Sequence, residues 1–478
     1  MRDWKLAAAL LGLLSLMVLV SLFEGLDLLL LFGGVLAAVA FLWLAFKYPE
    51  FFLVAALFIP QLKGYWPLEP IDKAVDLTVA MLIGLFIGVA WRVMRYIAHL
   101  DKTPRPGFSA VPKWPLWAFG VFAAVVAVSY SYSPAPSYGG SELLRFLGIG
   151  TLMLVAPFVL IRGEPDLRRF VILFLGAGLI LAAQMIVHLD DRQSGAANDI
   201  TRIGAGWLMG MLILLALYYR PFRRSALNSA QAWVLVPFFG FALIASAARG
   251  PITALLIVLF LNVLMSPKML GKMALMLVLL GLSGFAAFAV FSHVDPGKYH
   301  AKLTEIEDLA QGKAASGSAV KRLTFYRQTL AAIPDHPIFG GGIGSWNVFY
   351  YGTDQRGYPH NLFLLVAFEE GLVGLAALFF FLFVMGATCV RLLHKTGQRY
   401  AVFPSLVLFC LIVSMFSGDL DDNRILWYWT GVTLAICAIV KVRYGELLVQ
   451  RFTFRPRIRE AGAVLSPVEA SDRYSSAN

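Results

Sequence analysis

The stretch YPHNLFLLVAFEEGLVGLAALFFFLFVMGATCV, residues 358–390, decides the fold class of this chain. From Leu362 onward it is an apolar run in which Glu369 and Glu370 are the acidic interruptions. It is long enough to cross a bilayer, because about 20 apolar residues span the hydrocarbon core as a helix. A closed barrel needs short alternating strands, and neither this run nor the one from Leu6 to Leu22 alternates. The residues that open it, Tyr358-Pro359-His360-Asn361, place polar chemistry at the edge of an apolar element.

The rest of the chain repeats this pattern. Of its 478 residues 59% are apolar and 14% charged, with a mean hydropathy of +0.73. Soluble domains are about a quarter charged. Apolar runs bounded by charge, Pro or Gly fall near residues 6–22, 27–45, 51–66, 75–97, 115–131, 143–161 and 167–188. Further runs fall near 203–219, 230–247, 251–265, 271–292, 361–390, 401–417 and 424–440. They predict an all-α, polytopic transmembrane bundle of about 12–14 spans, the lower figure if the short third and tenth do not cross. The pair near 230–265 also reads as one helix broken at Arg249-Gly250-Pro251. The expected organisation is an N-terminal bundle over 1–292, one large loop over 293–360, C-terminal transmembrane helices over 361–441 and a basic tail over 442–478. Arg455, Arg457 and Arg459, followed by Ser/Ala/Glu-rich sequence, make that tail read as disordered. Met1 to Lys5 is a basic start, but no small-x-small cleavage pattern ends the first run, so an uncleaved helix is expected.

A net charge of +11 raises the question of a nucleic-acid partner. The placement of the charges argues against it. One set of alternate loops and ends holds 26 Lys/Arg, and the other holds 13, of which seven lie in the long loop. By the positive-inside rule both termini are cytoplasmic and the long loop is outside. Much of the basic charge is then an orientation signal facing anionic lipid. Cys389, Cys410 and Cys437 sit in apolar runs without metal-ligand or redox spacing.

This topology gathers the candidate residues on the outer face. Arg249, in Ala245-Ser-Ala-Ala-Arg249-Gly-Pro251, interrupts two apolar runs without a neighbouring acid. A membrane-edge arginine either snorkels to the headgroups or faces a polar cavity. Arg202 follows Asn198-Asp199 and opens the next span. Guanidinium groups fit phosphate oxygens bidentately, so two on one face gain meaning together. Leu323, Tyr326, Leu330 and Ile333 form a helical stripe with Arg322 and Arg327 interleaved, which predicts an amphipathic helix on the outer membrane surface. Phe339-Gly-Gly-Gly-Ile-Gly344 reads as a backbone turn rather than a dinucleotide fingerprint, since the sixth-position Gly and the strand–helix context are missing. His360, near its unperturbed pKa, could act as a base. Glu369 and Glu370 lie deep enough in the following helix to require a polar pocket or a cationic partner. Asp419, Asp421 and Asp422 with Arg424 read as a solvated acidic loop, with sugar binding as the alternative.

The set Pro337-Ile-Phe-Gly340, Gly342-Ile-Gly344, His360-Asn361, then Gly371-x-x-Gly374 resembles the O-antigen ligase and polymerase family of bacterial inner-membrane glycosyltransferases. Residues 320–390 carry most of the resemblance, and Arg202 and Ser246-x-x-Arg249 match the family's upstream arginine positions. The resemblance implies a membrane glycosyltransferase-C-like helical fold in the inner membrane. It implies transfer of a glycan from undecaprenyl diphosphate on the periplasmic face, without nucleotide sugar, metal or other cofactor. Arg202, Arg249 and Arg322 would then bind the donor diphosphate, and His360 would act as general base or orient the acceptor. Asn361, Glu369 and Asp422 would support the site. The acceptor is lipid A-core for a ligase, a growing glycan for a polymerase, or a protein in a third group of relatives. The His-Asn…Gly-x-x-Gly spacing favours the ligase, while Tyr358-Pro359 and Ser417-Gly-Asp419 also occur in polymerase-like relatives. A lipid-linked oligosaccharide transporter is the alternative from another class, although ionisable groups along a midplane path are few here.

Overall fold

The computed structural model describes residues 36, 39–64, 76–98, 110–188, 199–220, 225–265, 270–294 and 318–440. The span expected at 6–22, the loop stretch 295–317 and the tail over 442–478 lie outside those residues. Every regular element described is helical. The order begins with α1 (Val39–Lys47) and α2 (Glu50–Leu62), then α3 (Leu77–Ile97), α4 (Lys113–Ser129) and α5 (Pro136–Arg145). A wider turn at Phe146–Gly150 carries α5 into α6 (Thr151–Leu160). There follow α7 (Glu164–Val187), α8 (Asp199–Tyr218), α9 (Ser225–Ala245), α10 (Arg249–Met265) and α11 (Leu270–Val294). The segment between α11 and residue 361 contributes α12 (Ser318–Ala332) and α13 (Ser345–Tyr351). The chain closes with α14 (Leu362–Glu369), α15 (Gly371–Thr396), α16 (Val402–Val413) and α17 (Arg424–Ile439).

Among the described residues, five stretches pass a test of length and hydropathy for crossing a membrane: 77–97, 113–132, 136–160, 164–187 and 371–400. The pair α1–α2 makes a sixth if it counts as one span. Six further apolar stretches count 10–17 residues each, three of them parts of the longer helices α8, α9 and α11 of 20, 21 and 25 residues. At 1.5 Å per residue α8, α9 and α11 reach a core about 30 Å thick, whereas α10, α16 and α17, of 17, 12 and 16 residues, are shorter.

Each bend has a local cause. Pro49 lacks the N–H that a continuous helix needs, and α1 and α2 meet at 118°. The buried Glu50 then fixes the start of α2 to α7, because Arg169 donates to it at 2.8 Å and to Asp166 at 2.6 Å. The 230–265 region is two helices, broken at Ser246–Ala248 with Ala247 at φ 56, so that Arg249 begins α10. The 361–390 run is also two helices, α14 and α15, with Gly371 at φ 64. There the Gly-rich turn supplies the missing hydrogen bonds. Gly341 N–H donates to the Phe368 carbonyl at 2.9 Å and Gly342 N–H to that of Glu369 at 2.7 Å. In return Leu372 and Val373 N–H donate to Pro337 and Ile338 carbonyls at 2.9 and 3.1 Å. A side chain at Gly340 or Gly371 would strike the partner backbone, which accounts for glycine at these two left-handed positions.

The predicted amphipathic helix exists as α12, and a face other than the Leu323–Leu330 stripe packs on the protein. Phe325, Thr329 and Ala332 are buried, while Leu323 and Leu330 are 48% and 56% exposed. Packing beneath the helix explains the choice. Trp346 of α13 stacks edge-on to Phe325 at 5.1 Å and donates its indole N–H to Thr329 Oγ1 at 2.8 Å.

The core centres on α17, where Trp427, Tyr428 and Trp429 are fully buried. Phe119, Phe146 and Phe381 ring Trp427 at 5.2–6.0 Å, and Tyr428 donates its hydroxyl to the Leu53 carbonyl at 3.1 Å, tying α17 to α2. α17 packs most closely on α6. Gly431 permits this, since a Cβ there would collide with the Leu154 carbonyl oxygen, and small residues let membrane helices approach closely. Gly431→Val should therefore cost about 1–3 kcal/mol through overpacking, seen as a lower thermal midpoint in detergent. Gly386→Ala, where a Cβ meets nothing within 4 Å, should leave the midpoint unchanged. Equal midpoints for both variants would show that the α6–α17 contact is not limiting.

Candidate functional site

The second half of α2, the first turns of α8, helix α12 and the loops before α14 and α17 surround a cavity of about 330 Å³. One wall is apolar: Ala56, Leu57 and Pro60 of α2, Trp207 and Leu208 of α8, Phe325 and Ile425. Another part of the lining is polar, with three cations: Lys321, Arg322, Tyr358, His360, Ser417, Asp422 and Arg424. Gln61 and Gly204 lie where the walls meet in sequence.

His360 is held in a left-handed backbone conformation, φ 61, which costs a non-glycine residue on the order of 1–3 kcal/mol. Its neighbours impose it. Asn361 must be extended to cap α14, and its Oδ1 accepts from Phe363 and Leu364 N–H at 3.0 and 3.1 Å. On the other side, Tyr326 directs its hydroxyl at the His360 and Met415 carbonyls, 3.1 and 3.2 Å away. Leu362 N–H donates to the Ser414 carbonyl at 3.0 Å. The imidazole lies edge-on to Tyr358 at 4.6 Å and parallel to Phe325 at 6.3 Å. Its Nδ1 is enclosed without a hydrogen-bond partner among the described residues.

This environment changes the chemistry expected of the histidine. Burial, reinforced by Arg322, Lys321 and Arg356, pushes its pKa down from 6.5 to about 4. It is neutral at pH 7 by a wide margin, not poised near its ordinary value.

The acidic loop before α17 departs further from expectation. Asp419 and Asp421 are buried, 1% and 8% exposed, and are not a solvated cluster. Arg356 organises them: its Nε donates to Asp419 Oδ2 at 3.0 Å and its terminal nitrogen to Asp422 Oδ2 at 2.6 Å. Tyr138 of α5 donates to the same Asp419 oxygen at 2.8 Å. Arg145 and Arg424 flank Asp421 at 3.3 and 3.6 Å. The guanidinium of Arg356 also lies 5.5 Å from the Tyr358 ring, linking the acidic loop to the histidine wall. Burial and the neighbouring Asp419, opposed by Arg356 and Arg424, raise Asp422 to about 6. Burial likewise raises Tyr358 to about 12.

Of the residues singled out from sequence, His360, Arg322 and Asp422 line the cavity together. Arg202 is not in the wall, but its neighbours Ile203 and Gly204 are. Arg249 is exposed at the start of α10. The turn before it packs on α8, where a Cβ on Gly206 would lie 2.9 Å from Ser246 Oγ and 3.0 Å from Ala248 Cβ. Gly250 rests against Phe416, next to the wall residue Ser417. Asn361 stands behind the histidine as a helix cap. Glu369 is fully buried outside the cavity lining and accepts the Trp346 backbone N–H at 3.3 Å, so a backbone donor stands where a cation was expected. Sequence reasoning missed Arg356, Tyr326 and Lys321. Arg356 had one available signal, a lone cation two residues before Tyr358 in a loop with unclaimed carboxylates elsewhere on the same side.

Residues 232–379 match the family model described as O-antigen ligase. That segment carries Arg249, Arg322, Arg356, His360, Asn361 and Glu369, while Arg202 and Asp422 lie outside it. No curated protein matches the chain.

The shifted histidine has a measurable consequence. Folded, His360 stays neutral down to about pH 4, whereas unfolded it takes a proton near 6.5. Between these values the unfolded state binds more protons, so acidification removes stability there, and the group contributes nothing above that window. The shift corresponds to roughly 3 kcal/mol, less for partial exposure. His360→Gln should thus retain about 2 kcal/mol more of its stability than the wild type on going from pH 7 to pH 4.5. Parallel pH profiles of the thermal midpoint in detergent would contradict this.

Proposed function

We propose that this chain, a member of the O-antigen ligase family through its 232–379 segment, moves a glycan from undecaprenyl diphosphate to lipid A-core on the periplasmic face of the inner membrane. The observation that carries the reading is the mixed lining of the cavity, which brings Lys321, Arg322, His360 and Arg424 together with Leu57, Pro60, Trp207, Leu208 and Ile425. Such a cavity suits a ligand that is anionic at one end and hydrocarbon at the other. A nucleotide sugar needs no apolar wall of this kind.

The roles follow from charge. A diphosphate leaving group develops negative charge as the glycosidic bond breaks, and preoriented cations stabilise that charge. Arg322 and Lys321 take this part within the cavity. Arg202 and Arg249, next to its walls, meet the diphosphate as the donor enters or leaves. Guanidinium groups serve a diphosphate well because their paired donors match adjacent oxygens. His360 presents Nε2 to the reacting sugar and orients the acceptor. The reading assigns neutralisation of the leaving group to these side chains, so transfer should persist in the presence of a chelator.

The choice of lipid A-core as acceptor rests on the His360-Asn361…Gly371-x-x-Gly374 spacing. Deleting the gene and resolving the surface glycans by gel tests it. A ligase leaves lipid A-core bare while lipid-linked chains accumulate, whereas core bearing a single repeat unit marks a polymerase. Donor trapped on the cytoplasmic side marks a transporter and sinks the proposal.

Arg249→Ala and His360→Ala, made separately, should each lower glycan transfer by about 100-fold or more with membrane insertion intact. Full transfer by both variants would remove these residues from the mechanism.

A further inference from the structure

Transfer to a sugar hydroxyl requires a group that takes the hydroxyl proton, and the cavity offers two contenders. One is His360. The other is Asp422, the one carboxylate among the described residues lining the cavity.

The surroundings of the histidine oppose a base role. To accept a proton at Nε2, a neutral imidazole must carry its existing proton on Nδ1. That nitrogen is enclosed and has no acceptor among the described residues. The favoured tautomer keeps Nδ1 bare and puts the N–H on Nε2, which makes the ring a donor towards the cavity. Protonation would also create an imidazolium beside Arg322, Lys321 and Arg356, against their charge.

Asp422 is arranged differently. Its Oδ2 receives the Arg356 guanidinium at 2.6 Å, and its backbone N–H donates to Asp419 Oδ1 at 2.8 Å. Gly418, at φ 94, makes room beneath it, since a Cβ there would lie 2.8 Å from Asp422 Cβ. The carboxylate is therefore fixed by one oxygen, while Oδ1 has no hydrogen bond among the described residues, and the residue lines the cavity.

We propose that Asp422, clamped by Arg356, is the proton acceptor for the attacking hydroxyl, and that His360 serves as a neutral Nε2–H donor. This rests on the glycan-transfer reading above. The acceptor oxygen bonds to the anomeric carbon as the bond from that carbon to the diphosphate oxygen breaks. The electron pair leaves with the diphosphate, the hydroxyl proton passes to Asp422 Oδ1, and the carboxylic acid then returns it to water. Burial and Asp419 hold Asp422 at about 6, in the range where a carboxylate is ionised at neutral pH yet still basic.

The test is the pH dependence of transfer by the purified full-length chain in detergent. It uses an undecaprenyl-diphosphate glycan donor and lipid A-core acceptor. Wild-type turnover should fall on acidification with a midpoint near 6. Asp422→Asn should lose about 10²- to 10⁴-fold in turnover, and Asp422→Glu should recover part of it. Arg356→Gln, which removes the compensating cation, should move the acid limb to higher pH. A merely structural role for the pair would leave that limb in place. His360→Gln should lower turnover but keep the limb. The proposal is overturned if Asp422→Asn stays within a few-fold of wild type, or if the acid limb disappears in His360→Gln and persists in Asp422→Asn. A wild-type chain that transfers no glycan from this donor would overturn the transfer reading itself, and the Asp422 assignment with it.

Discussion

A helix that stops among apolar side chains must find partners for the backbone groups it frees, because bilayer hydrocarbon offers none. The break between α14 and α15 meets this demand with the 337–342 turn, whose amides and carbonyls pair with Phe368, Glu369, Leu372 and Val373. The rest of the site depends on that exchange. It anchors the segment between α11 and residue 361 to the bundle and fixes where α14 can begin. The start of α14 in turn requires the Asn361 cap, and the cap forces His360 into its left-handed conformation against the cavity. Glycine at Gly340 and Gly371 is the enabling chemistry, since any side chain there would meet backbone.

Charge is handled with the same economy. Arg356 reaches across from the loop before α14 to Asp419 and Asp422, residues 63 and 66 positions away in sequence. A buried Asp419 without that cation would be expensive. The pairing leaves the cationic surplus on the histidine side of the cavity, where Lys321 and Arg322 stand. A neutral histidine beside those cations adds a donor without adding repulsion.

Much of the architecture was legible in the sequence. Long apolar runs announced a helical membrane protein. His360, Arg322 and Asp422, widely spaced in the chain, do share one cavity. The failures have physical causes. Hydropathy cannot see that Glu370-Gly371 ends a helix, because the hydrogen bonds that permit the break come from a distant turn. Nor could it see the second apolar face of α12, where Phe325 and Thr329 pack on Trp346. Asp419 looked solvated because its partners, Tyr138 and Arg356, lie in other elements. Asn361 and Glu369 sit beside the site in sequence, but their side chains satisfy backbone amides.

The central claim is that the cavity seats a polyprenyl diphosphate with its charge on the α12 cations and its chain on the α2–α8 wall. A cryo-electron microscopy structure of the chain with undecaprenyl diphosphate tests it directly. The account predicts the diphosphate within hydrogen-bonding reach of Arg322, and the first prenyl units against Trp207 and Leu208. Diphosphate density bound elsewhere, with this cavity left to solvent, would contradict it.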